Sequence, residues 1–165
     1  MKKVAKRRRR EGKTNYSKRI MLLKSERPRV VFRRSNKYVA GQYVESHDAQ
    51  DKVIFGVDSR ELLKYGWPEE SKGSLKSVTA SYLTGYLIGQ KIKNQGLEEP
   101  IVDLGMFKIK YKGRLFGFLK GLIDSGLNVE CKEEALPGEE RIKGQHLKNK
   151  IAFDKIKSSI ENTKK

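Results

Sequence analysis

The first 37 residues carry 16 lysines and arginines against 2 acidic side chains, and the part of this stretch poorest in apolar residues, its opening, cannot form the centre of a fold. Within Lys2 to Lys13 only Val4 and Ala5 are apolar. That offers too little buried area to offset a backbone ordering cost of roughly 1–2 kcal/mol per residue. Lys6-Arg7-Arg8-Arg9-Arg10 places five cations in succession, which repel one another in the free chain. The opening is therefore read as an arm, disordered when alone, and the core must come from the rest of the chain. Residues 38–165 hold 21 cations and 18 acids, the balanced surface of an ordinary domain. A chain of 165 residues suits one domain with extensions: a basic arm and short helix at 1–25, an α/β core at 26–131, and a loop with a C-terminal extension at 132–165.

After the arm, Ile20, Leu22 and Leu23 among Lys18, Arg19 and Lys24 predict a short basic helix over Tyr16–Ser25, stopped before Pro28. Runs rich in Val, Ile, Phe and Tyr predict strands at Arg29–Arg34, Lys37–Glu45 and Lys52–Asp58. Ser35-Asn36 and Ser46–Asp51 are turn-forming, so the three make an antiparallel meander. Ser59 is expected to cap a short helix with Leu62 and Leu63, ended near Gly66-Trp67-Pro68. A long helix is predicted over Ser74–Gln95, then a strand at Pro100–Gly105, a helix at Arg114–Ser125 and a last strand at Leu127–Cys131. The sum is an α/β mixed sheet, the meander followed by α-β-α-β. Gly85/Gly89 and Gly117/Gly121 predict close packing of the two helices on the sheet, since each glycine otherwise costs roughly 1 kcal/mol of helix propensity. In the tail, Ile151, Ile156 and Ile160 have the spacing of an amphipathic helix, left to dock on a neighbour or fray.

Most catalytic chemistry lacks its residues here. A single cysteine, Cys131, allows no internal disulfide and points to the cell interior. His47 and His146 are far apart, with no second ligand at metal-binding spacing. No phosphate-cradling glycine loop and no Gly-x-Ser-x-Gly elbow occurs, so no cofactor, metal or small-molecule substrate is expected. The least polar window, Val78–Gly89, is too short to span a bilayer. Glu45, Asp48, Asp51, Asp58 and Asp103 lie at predicted strand ends or turns; only their convergence would support a two-metal nuclease.

A net charge of +17 calls for a polyanion. Each phosphate contact releases counterions, so repulsion inside the free arm becomes attraction in a complex. Arg33, Arg34 and Lys37 bracket the first hairpin, with Ser35-Asn36 at its tip, and put further cations on a rigid scaffold. Strand alternation groups Arg29, Val31 and Arg33 on one face and Val30, Phe32 and Arg34 on the other, so at least one arginine pair points away from the core. Tyr16, Tyr38 and Tyr43 are candidates to stack on unpaired bases. A binding protein for structured RNA fits best; a nuclease and a DNA-compacting protein are the rivals.

The stretches RRREGKTNY, PRVVFRRSNKYV, SRELLKYGW, ASYLTGYLIG, GLIDSGL and LPGEERIKGQHL, in order from Lys6 to Leu147, resemble the universal eighteenth protein of the large ribosomal subunit, in its archaeal and eukaryotic form and at archaeal length. The resemblance implies a ribonuclease-H-like arrangement of strands and helices without catalytic activity, and a cytoplasmic, ribosomal location. It implies attachment of 5S rRNA at the subunit's central protuberance. The partners implied are large-subunit rRNA, the universal fifth large-subunit protein and other protuberance proteins. Joined with the charge pattern, it makes the RNA-binding candidates Lys6, Arg7, Arg8, Arg9, Arg10, Lys13, Tyr16, Arg19, Arg33, Arg34, Ser35, Asn36, Lys37 and Arg60. Lys108, Lys110, Lys112 and Arg114 lie in a stretch that resembles the family only loosely.

Overall fold

The computed structural model describes residues 4–48, 50–147 and 151–162. Expectations that touch residues 1–3, 49, 148–150 and 163–165 lie outside the described residues. The centre is a four-stranded mixed sheet in the order β3-β2-β1-β4, built from β1 (Arg29–Arg34), β2 (Val39–His47), β3 (Gln50–Asp58) and β4 (Ile101–Asp103). β1 and β2 pair antiparallel from Arg29↔Val44 to Arg34↔Val39, β2 and β3 antiparallel, and β1 and β4 parallel. The meander and the α/β class thus agree with the sequence pattern. The second turn is tighter than expected: β2 and β3 pair out to His47↔Gln50, and Asp48 takes the left-handed conformation (φ 48°) that aspartate tolerates. A bulge at Tyr43/Val44 absorbs the extra residue.

Val30 and Phe32 of β1 turn toward two helices, α3 (Val78–Asn94) and α4 (Arg114–Asp124), whose facing residues complete a core with Tyr43, Leu83, Ile88, Phe118 and Leu122. Phe32 meets Phe118 with ring centroids 5.1 Å apart. Helix α3 starts at Val78, later than expected, because Ser77 caps it by accepting from the Ala80 N–H. Residues Glu69–Ser74 form a separate 3-10 turn. The preceding 3-10 segment, Ser59–Tyr65, is capped by Asp58 and Glu61 rather than by Ser59. Ser59 is instead fully buried and accepts from the Val39 N–H at 3.1 Å, joining this segment to β2.

The helix glycines act between the helices, not between helix and sheet. A Cβ at Gly85 would overlap the Phe118 carbonyl, one at Gly121 the Tyr82 carbonyl, and one at Gly117 would lie 3.0 Å from Val78. Gly89 makes room for Ser125. The cost in helix propensity is offset by two backbones in van der Waals contact.

The expected strand at Leu127–Cys131 does not form. A cleft of about 390 Å³, lined by Pro100, Val102, Leu119 and Val129 among others, separates it from β4, and Pro100 has no N–H to offer a ladder there. Further on, Glu133–Ala135 is a 3-10 turn and α5 (Glu139–Ile142) a single helical turn. The tail finds its partner within the chain: α6 (Phe153–Asn162) buries Phe153, Ile156 and Ile160, with Phe153 against the Tyr82 ring at 5.4 Å. The Tyr86 hydroxyl donates to Glu161 Oε1 at 2.6 Å, and the Tyr82 hydroxyl to Asp124 Oδ2 at 2.7 Å.

Candidate nucleic-acid interface

With α3 and α4 on one face of the sheet, Arg29, Val31 and Arg33 take the other. Arg29 is 2% exposed, because its guanidinium donates to Asp51 Oδ1 at 2.6 Å, Ser46 Oγ at 2.8 Å and Asp103 Oδ2 at 3.3 Å. A buried cation is tolerated only when paired and hydrogen-bonded in this way. The pairing had no signal in the sequence, since Asp51 and Asp103 stand in different strands. Two of the five carboxylates considered for a nuclease thus converge, but on an arginine, which takes the charge a metal would otherwise neutralise. Asp58 is turned to Arg60 and to its capping role. Among the described residues no group of three or more His, Cys, Asp or Glu is placed to hold a metal ion.

The basic arm lies beside this second face. Arg7–Arg10 forms one helical turn, α1, where composition alone predicts only disorder. Local contacts accompany it: Arg8 Nε donates to Thr14 Oγ1 at 2.9 Å, and Glu11 meets Lys13 at 2.8 Å and Arg7 at 3.8 Å. These pairs are exposed, each worth about 0–1 kcal/mol, so the arm stays open to rearrangement. Asn15 then caps α2 (Tyr16–Leu23), accepting from the Lys18 N–H, and Lys6 stands over the Tyr16 ring at 4.7 Å. Arg19 Nη1 donates to Asp51 Oδ2 at 2.9 Å and ties α2 to β3. The Asp51 carboxyl is pushed up by burial, but hydrogen bonds from Arg19 and Ser46 and the charges of Arg29 and Arg19 outweigh this and hold it below the usual range.

Seven of the fourteen candidates line two clefts. Arg8, Lys13, Arg19 and Arg33, with Lys18, line a small cleft where the arm meets the end of β1 and the turn after β4. There Gly105 (φ 59°) leaves space for the Arg33 guanidinium, which a Cβ would approach to 3.1 Å. Arg34, Ser35 and Asn36 line a second cleft around the β1-β2 turn. That tip is organised by Ser35: its Oγ accepts from the Lys37 and Tyr38 N–H groups at 3.2 and 2.9 Å, and its own N–H bonds the Tyr38 carbonyl. Lys37 is exposed beside it, and Arg9 and Arg10 are exposed in the arm.

Arg60 reaches the same end of the sheet from the 3-10 segment after β3. Its guanidinium bonds Asp58 Oδ2 through Nε and Nη2 at 2.9 and 2.7 Å and covers the Tyr38 ring at 4.6 Å. Arg19 and Arg60 are thus already paired, whereas among the described residues Arg34 meets no acidic side chain and stands over the Phe107 ring at 5.1 Å. Tyr43 is fully buried, its ring stacked on Phe55 and its hydroxyl donating to the Glu98 carbonyl, so it is core and not a stacking platform. Residue reading missed Lys18, which helical spacing from the arm could have supplied, and Lys76, which only the fold brings to the hairpin.

Residues 2–100 match the family described as ribosomal large subunit proteins 60S L5 and 50S L18. Among curated relatives, the large ribosomal subunit protein uL18 of Korarchaeum cryptofilum is 47% identical over 145 residues, 88% of this chain and 72% of that protein. Its counterpart from Aeropyrum pernix is 43% identical over 146 residues, 88% of this chain and 66% of that protein.

Proposed function

Because the chain belongs to the family of ribosomal large subunit proteins 60S L5 and 50S L18, we propose that it binds 5S rRNA and fastens it to the large subunit at the central protuberance. It is a structural constituent of the large subunit, at work in the cytoplasm, and not an enzyme. The finer assignment is supported chiefly by one observation: a weakly held cationic arm and a rigid arginine hairpin stand at the same end of a helix-backed sheet. Phosphate contacts by Lys6, Arg7, Arg8, Arg9, Arg10, Lys13 and Lys37 supply affinity, while Tyr16, Arg33, Arg34, Ser35 and Asn36 fit RNA shape and unpaired bases. Arg19 and Arg60 hold the arm and hairpin in position and extend the same surface. Large-subunit rRNA, the universal fifth large-subunit protein and other protuberance proteins complete the proposed surroundings.

Titration of full-length protein with 5S rRNA, with duplex DNA as competitor at fixed salt, tests this. Tighter binding to 5S rRNA is expected, and a chain lacking residues 1–24 should bind more weakly with a flatter salt dependence. Equal affinity for DNA and 5S rRNA, or an undiminished truncated chain, would remove the reading.

A further inference from the structure

A third cationic surface lies beyond the arm and the hairpin tip. Arg34, Lys108, Lys110, Arg114 and Arg141 line one cleft of about 220 Å³, with Phe32 and Phe107 on its floor and no carboxylate in its lining. These cations come from the end of β1, the loop after β4, the start of α4, and α5. Among the described residues none of the five makes an ion pair with an acidic side chain. Such a cluster repels itself, and an anion bound in the cleft relieves that repulsion. Gly113, the residue before α4, provides no side-chain cap, so the positive end of that helix opens on the same cleft. Arg34 and Arg114 are shared with the cleft at the hairpin, which also has no acidic lining. The two form one groove running from Asn36 to Lys110.

Resting on the proposed 5S rRNA reading, we infer that this groove holds the phosphodiester backbone of a 5S rRNA segment, continuous with the one at the hairpin tip. The first cleft is smaller than the roughly 300–1,000 Å³ of small-molecule sites. It suits successive phosphates rather than an enclosed base. Continuity through Arg34 selects 5S rRNA over large-subunit rRNA. Tyr111 (59% exposed) and Ile109 (56% exposed), interleaved with Lys108, Lys110 and Lys112 on the loop, offer apolar surface to bases at the rim.

The test compares the wild type with two full-length variants. The groove variant is Lys108→Gln/Lys110→Gln/Arg141→Gln, all exposed positions, and the arm variant is Arg7→Gln/Arg8→Gln/Arg9→Gln/Arg10→Gln. Binding of 5S rRNA, a large-subunit rRNA fragment, duplex DNA and poly-glutamate is measured across salt, with hydroxyl-radical footprints on 5S rRNA. The groove variant should show a log-log salt slope shallower by about 1.4–2.7 for two or three lost contacts. It should also lose one discrete 5S footprint that the arm variant keeps. A single Lys110→Gln change should give the same loss at smaller amplitude if the triple variant folds poorly. Wild-type affinity, slope and footprint in the groove variants, with the arm variant impaired, overturn the groove and leave the 5S reading standing. Loss confined to large-subunit rRNA or poly-glutamate overturns it as well. A wild type that fails to prefer 5S rRNA over duplex DNA removes the reading beneath it.

Discussion

Replacing Arg29 with methionine separates the electrostatic and steric roles of the most buried cation. The side chain is 2% exposed, and its partners Asp51 and Asp103 are 33% and 15% exposed. Methionine keeps most of the apolar stem and removes the charge that neutralises both carboxylates. Losing one member of a buried pair costs about 3–5 kcal/mol. Asp51 keeps Arg19 and has access to water, and Asp103 keeps the Gly105 N–H at 2.8 Å, so the low end applies, about 3 kcal/mol. At about 2–4 °C per kcal/mol for a chain of this size, Tm should fall by about 6–12 °C. Urea unfolding should show a lower midpoint at unchanged slope. A triple variant, Arg29→Met/Asp51→Asn/Asp103→Asn, should recover part of the loss, because neither carboxylate then keeps a charge that Arg29 balanced; Arg19, one third exposed, loses Asp51 but remains within reach of water. The depressed Asp51 carboxyl adds a pH signature. Its stabilisation is present above the ordinary carboxylate value of about 3.9 and is lost as pH falls through its lowered folded value. Arg29→Met should flatten that acid limb. A single-variant loss under about 1 kcal/mol, or a triple variant weaker than the single, would refute the reasoning.

At Gly121, alanine should cost about 1–3 kcal/mol despite a better helix propensity, since its Cβ would meet the Tyr82 carbonyl; Gly73→Ala, in open space, serves as the neutral control in the same thermal melts. Truncating Ile156 to alanine should cost about 2–5 kcal/mol, read by urea denaturation, and a neutral result would mean α6 is not anchored on the core. Burial and the hydrogen bond to Glu161 push the Tyr86 hydroxyl up to about 12. Its stabilisation is full below the ordinary value of about 10 and lost as pH rises toward the folded value, so the urea midpoint should decline over that window and decline less in Tyr86→Phe.

Charge distribution and periodicity are local properties, and they carried much of this protein's description. The run of cations from Lys6 to Arg10 set the opening apart, and period-two runs gave three strands in their pairing order. The ordered stretches between Lys6 and Leu147 already pointed to the family that the relatives then showed. What failed were features decided between distant segments. Leu127–Cys131 has the composition of a strand, but a strand exists only if a neighbour accepts its hydrogen bonds, and β4 stands off behind a cleft. Ser59 has the chemistry of a cap, yet the Asp58 and Glu61 pair takes that role, and the hydroxyl serves β2 instead.

Tertiary structure also decided which cations are held and which are open. In the sequence Arg19, Arg29, Arg34 and Arg60 look alike. Folding brings Asp51 and Asp103 to Arg29, Asp51 to Arg19 and Asp58 to Arg60, while among the described residues Arg34 stands over the Phe107 ring with no acidic partner. The physical reason is range. A side chain's intrinsic charge is fixed by its identity, but whether that charge is neutralised depends on what lies within a few ångströms, and only the packed chain sets those distances.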